Sequence, residues 1–147
     1  MAGAKNPTAG DQTYTGLSSI HLASATLGQD PGIGGNHAPT WTNCGIYTRP
    51  VNTSRALHSL EHGAVWLTYW PTLPADQIRC LTDLAVGNPD LLASANATEK
   101  DDVKGTAWCG QGAKDTANRR LAAFVTTFTR GPRAPESGAA CTRGADG

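Results

Sequence analysis

His58-Ser59-Leu60-Glu61-His62-Gly63-Ala64-Val65-Trp66-Leu67-Thr68-Tyr69-Trp70 changes character halfway along. Up to His62 the run suits the end of a helix. Gly63 supplies its stop, because glycine enters the left-handed backbone region at no steric cost. From Ala64 to Trp70 aromatic and β-branched residues dominate and there is no Gly or Pro, which reads as a strand. Side chains alternate across a strand, so Trp66 and Trp70 should share one face and Val65, Leu67 and Tyr69 the other. Both faces are apolar, so this strand is expected to be central and covered on both sides. Pro71 ends it.

Downstream, Pro74 begins a second helix, with Asp76 favourable near its N-terminus. Ile78, Leu81, Leu84 and Ala85 form its apolar stripe, and Gly87-Asn88-Pro89 stops it. Leu91–Ser94 reads as a short strand, Asn96–Asp102 as a polar turn, and Val103–Cys109 as a returning strand. Asp115 or Thr116 caps a last helix. Its core face is Leu121, Phe124, Val125 and Phe128, spaced i, i+3, i+4, i+7. Gly131-Pro132 ends it. The Pro/Gly/Ala-rich tail from Arg133 would be unstructured unless Cys141 ties it down.

Upstream, Asn52, Thr53 and Ser54 are candidate caps for the short helix that runs through His62. From Tyr14 to Pro50 the chain is rich in Gly, Pro, Thr and Asn. This is ordered-loop chemistry with room for a short helix around Leu17–Ala23. Residues 1–13 read as a loose arm, 14–142 as one domain and 143–147 as a tail. The expected fold is a compact α+β domain, with two or three helices packed on a small, mainly antiparallel sheet.

All four histidines, His21, His37, His58 and His62, lie in the first 62 residues. A neutral imidazole offers a lone pair to a transition metal. His58 and His62 are four apart, so on a helix they share one face and can grip one ion. His37 would be brought in by the Gly34-Gly35 loop, and His21 lies in a similarly glycine-containing segment. His58-Ser59-Leu60-Glu61-His62 also fits His-x-x-Glu-His, the inverted zinc-hydrolase pattern in which the glutamate is the base.

The chain has 147 residues, with 12 acidic and 12 basic, which suits one ordinary domain. No basic stripe with interleaved aromatics points to nucleic acid. No apolar run approaches the ~20 residues that span a bilayer, and no apolar leader segment opens the sequence. The four cysteines, Cys44, Cys80, Cys109 and Cys141, form no Cys-x-x-Cys pair. Their even number and wide spacing fit two disulfides in an oxidising compartment, with three pairings open.

Several strings together resemble the bacterial domain of unknown function 3105 family. They are Trp41-Thr42-Asn43-Cys44-Gly45-Ile46-Tyr47, Leu57-His58-Ser59-Leu60-Glu61-His62-Gly63-Ala64-Val65 and Leu73-Pro74-Ala75-Asp76-Gln77. Gly34-Gly35-Asn36-His37, Gly16-Leu17 through His21, and Gly131-Pro132 through Pro135-Glu136, Gly138 and Cys141 extend the likeness over about residues 14 to 142. The chain departs from the family pattern at Pro31-Gly32-Ile33 and between Gly87 and Gly112, and it gains Cys80 before that stretch and Cys109 within it. The resemblance implies an extracytoplasmic protein whose precursor carries a leader or membrane anchor. It implies a Cys44–Cys141 bond, leaving Cys80 with Cys109. It also places all four histidines at motif positions.

The expected function is therefore a histidine-rich transition-metal centre in a small extracytoplasmic protein. An all-imidazole set suits copper(II), zinc, nickel or iron. Copper(II) is preferred and zinc second, because an oxidising compartment with sequestered thiols leaves copper(II) available. Glu61 would be a ligand, an orienting partner or a base. Three rivals stand beside it: a zinc hydrolase with Glu61 as base, a redox or cyclising enzyme of secondary metabolism acting on a small-molecule substrate, and a binding module whose histidines are structural.

Overall fold

The computed structural model describes residues 12–13, 37–97, 103–108, 110–114, 119–132 and 134–146. Among them are β1 (Gln12–Thr13), β2 (Gly45–Tyr47), α1 (Thr53–Glu61), β3 (Val65–Tyr69), α2 (Ala75–Ala85), β4 (Leu91–Ala95), β5 (Val103–Ala107), β6 (Gly110–Lys114) and α3 (Arg119–Phe128). The strands form one sheet in the order β1-β6-β5-β3-β4-β2. The fold is α+β, as the sequence pattern implies. The short helix expected around Leu17–Ala23, the Gly34-Gly35 loop and the candidate caps Asp115 and Thr116 fall outside the described residues.

The sheet is mixed rather than mainly antiparallel. β2 and β3 both run parallel to β4, while β3–β5, β5–β6 and β1–β6 are antiparallel. Neighbouring strands joined through a crossover helix must run parallel, and α2 joins β3 to β4 in this way. Where the chain returns through a tight turn, as between β5 and β6, pairing is antiparallel.

β3 is central and all five of its residues are buried. Val65, Leu67 and Tyr69 face α2 and α3, packing with Leu81, Leu121, Phe124, Val125 and Phe128. Trp66 faces the other way, packing with Ala56, Leu57 and Leu60 of α1 and with Leu92 and Trp108. Helices thus cover both faces of the sheet. Trp70 does not join Trp66 inside. It lies past the end of β3 at the turn into Pro71 and is 42% exposed. Phe124 lies so close to Gly105 on β5 that a Cβ there would come within 2.8 Å of its ring. Tyr69 donates its hydroxyl to the Tyr47 carbonyl at 2.6 Å, and burial pushes its pKa up.

Two covalent and main-chain ties hold the C-terminal segment. Cys44 is bonded to Cys141. Residues 141–146 run beside 41–44 through Cys44 N–H to Cys141 O, Asn43 N–H to Ala145 O and Ala145 N–H to Trp41 O. The second expected bond, Cys80–Cys109, can be followed only at Cys80. Cys80 is a free thiol on the exposed side of α2, next to the inward-facing Leu81, and its position directs the sulfur to solvent. Cys109 lies outside the described residues.

Candidate metal centre

α1 is short, and both its ends are well fastened. Asn52 accepts the Arg55 N–H and caps the N-terminus. At the other end Gly63, at φ 99°, turns the chain away. A Cβ on Gly63 would lie 2.8 Å from the Arg130 Cα, so only glycine fits without a shift. Two loops then lie along the helix. In the first, Ala38 N–H donates to Ser54 O, while the Ser59 hydroxyl donates to Thr42 O and accepts the Thr42 N–H. In the second, Glu136 N–H donates to Glu61 O and Gly138 N–H to His62 O, each at 3.0 Å. The contacts of the second loop satisfy terminal carbonyls that a helix leaves without intrahelical partners.

The two loops also set the histidines. His58 Nδ1 lies 2.8 Å from the Ala38 carbonyl and His62 Nδ1 lies 2.8 Å from the Ala140 carbonyl. A carbonyl only accepts, so each Nδ1 carries the hydrogen and donates. In the neutral ring, Nε2 then holds the lone pair. The two rings stand nearly perpendicular with centroids 4.7 Å apart. Trp41 packs on both, at 5.5 Å from His58 and 4.9 Å from His62.

The Nε2 atoms face carboxylates at a distinctive spacing. His62 Nε2 is 3.3 Å from Glu136 Oε2, and His58 Nε2 is 3.9 Å from the same oxygen. His58 Nε2 is 3.8 Å from Glu61 Oε2. A charge-assisted N–H···O bond would close to about 2.7–2.9 Å. Two ligands of one ion, each at about 2.0–2.1 Å, stand roughly 3.3 Å apart at the tetrahedral angle and about 4.2 Å apart at most. The observed separations fall in this second range. His37 differs: its Nε2 is 2.6 Å from Glu61 Oε2, a direct buried hydrogen bond. Its ring also packs against Trp108 and His58.

Among the described residues, two three-residue groups could therefore hold an ion, His37–His58–Glu61 and His58–His62–Glu136, with His58 common to both. Of the residues expected from sequence, His37, His58, Glu61 and His62 come together, and all are buried. His21 lies outside the described residues. Glu136 was not foreseen as a ligand. It stands in the Pro135-Glu136-x-Gly138-x-x-Cys141 string, 75 residues beyond Glu61. Its approach follows once Cys141 is bonded to Cys44, because that bond lays the loop across the end of α1.

A family model described as protein of unknown function (DUF3105) matches residues 21–143. No curated protein gives a match, nor does any solved structure.

Proposed function

The chain belongs to the protein of unknown function (DUF3105) family, which carries no reaction with it, and from its own geometry we propose that it binds one transition-metal ion at the C-terminal end of α1. His58 Nε2 and His62 Nε2 are the imidazole ligands. Glu136 supplies a carboxylate oxygen, and Glu61, backed by His37, lies within reach of the same ion. The observation that carries this reading is the pairing of locked tautomers with spacing: two Nδ1–H groups engaged by carbonyls, and two Nε2 lone pairs 3.3–3.9 Å from carboxylate oxygens. Outer hydrogen bonds of this kind fix a ligating imidazole and raise its basicity.

The donor set is imidazole and carboxylate without thiolate, which suits copper(II), zinc or iron(II). Copper(II) remains preferred and zinc second. The Cys44–Cys141 bond supports an extracytoplasmic, oxidising setting, and no helix among the described residues is long and apolar enough to cross a membrane. Elemental analysis of protein purified without an affinity tag tests the proposal. About one equivalent of a first-row metal is expected in the wild type and none in His58→Ala.

A second reading, metal-assisted hydrolysis of a small-molecule substrate, draws support from one observation. Glu61 is buried beside the ligands with His37 bonded to its carboxylate. A carboxylate so placed can accept a proton from a metal-bound water. Glu61→Gln would then keep the ion and lose hydrolysis, whereas a centre without that chemistry would show no hydrolysis in either protein.

A further inference from the structure

The side chains that meet at the end of α1 are unequally sealed. His37 is wholly buried, and the side chains of His58, Glu61 and His62 are only 4–6% exposed. Glu136 is 48% exposed. The backbone beneath Glu136 is nonetheless anchored. Its N–H is bonded to Glu61 O, Gly138 N–H to His62 O and Ala139 N–H to Glu136 O. Ala140 O takes the His62 Nδ1–H, and Cys141 is bonded to Cys44. The freedom at this corner lies in the side-chain torsions of Glu136, which can swing into solvent while the loop stays in place.

Charge says what would take its position. A divalent ion between Glu61 and Glu136 is neutralised. When Glu136 swings out, one positive charge is left uncompensated in an enclosed site, where Coulomb terms are stronger than in water. A monoanion restores the balance, and a carboxylate restores the donor type as well. Resting on the metal reading proposed above, we infer that Glu136 is a displaceable ligand, and that its position on the ion is where a small monocarboxylate from solvent binds.

The test uses acetate as probe and the full chain loaded with copper(II), followed by visible absorption and electron paramagnetic resonance. Glu136 competes as a tethered ligand at an effective concentration on the order of millimolar or more. Glu136→Ala is expected to keep one copper(II) ion and to lower the acetate midpoint by about tenfold or more. Glu136→Gln, which keeps the shape but weakens the donor, should fall between the two. An unchanged midpoint in both variants overturns the inference while leaving the metal reading intact. Loss of copper from both folded variants also overturns it, by making Glu136 an indispensable ligand. A wild-type protein that takes up neither copper(II) nor zinc removes the metal reading itself, and this inference with it.

Discussion

The two faces of the sheet are built from different chemistry. Toward α2 and α3, Val65, Leu67, Tyr69, Leu91, Ala93 and Val103 meet Leu81, Leu121, Phe124, Val125 and Phe128 in an apolar cluster. Toward α1 the apolar set is smaller, and beyond it lie buried polar groups: His37, Thr42, His58, Ser59, Glu61 and His62. Burying polar groups costs free energy unless each is bonded, and here the bonds come from two loops held over a single helix. One face contributes stability through area removed from water. The other uses that stability to hold imidazoles and carboxylates close together.

This division predicts opposite outcomes for variants on the two faces. The largest effect is expected from Phe124→Ala, which opens a cavity against Gly105 and should cost about 3–5 kcal/mol, read as a lower denaturation midpoint. Below the melting transition its metal affinity should stay close to that of the wild type. Paired Cys44→Ser and Cys141→Ser substitutions release a crosslink spanning 97 residues. The expected loss is about 3–5 kcal/mol by chain-entropy arithmetic, together with weaker metal binding, because the loop carrying Glu136 and the Ala140 carbonyl loses its anchor. Unchanged affinity in that variant would mean the main-chain bonds alone position the loop.

Smaller changes sharpen the contrast on the α1 side. Ser59→Ala removes both bonds to the Thr42 backbone and should cost about 1–3 kcal/mol, with a measurable fall in metal affinity. Thr42→Val should be neutral or slightly stabilising in melting temperature, because the buried Thr42 Oγ1 has no hydrogen-bond partner among the described residues to lose. On the other face, burial raises the Tyr69 pKa. The stability it contributes is fully present below the ordinary tyrosine value of about 10 and is lost as pH rises through the raised folded value. Tyr69→Phe should flatten that alkaline part of the stability curve.

The central strand and α3 were legible because their signals are local. Five residues, four of them aromatic or β-branched, make β3, and the i, i+3, i+4, i+7 apolar set makes α3. The parallel pairing of β3 with β4 runs against the mainly antiparallel sheet expected from sequence, although a helical pattern between two strands is what a parallel crossover needs. β2 and β6 were not read as strands, because Gly45-Ile46-Tyr47 and Gly110-Gln111-Gly112-Ala113-Lys114 are short or glycine-rich and lack alternation. At the site, spacing along one helical turn marks His58, Glu61 and His62. Glu136 and the carbonyls of Ala38 and Ala140 were hidden, since they reach the helix only through tertiary contacts 20 to 78 residues away. The pairing expected between Cys80 and Cys109 came only from the resemblance, as what remained once Cys44 and Cys141 were joined, and that carries no information about which face of a helix a thiol occupies.

The decisive measurement on the metal centre is calorimetric titration of metal-stripped protein with copper(II) and with zinc. It is best done in a Cys80→Ser background, so that the exposed thiol adds no site of its own. One ion per chain is expected for the parent, with loss of tight binding in His58→Ala and His62→Ala, both still folded. Binding should weaken as the solution is acidified, because protons compete for the same Nε2 lone pairs. Equal, weak binding by the parent and both histidine variants would contradict the metal reading, and the four buried side chains would then be a structural hydrogen-bond network at the end of α1.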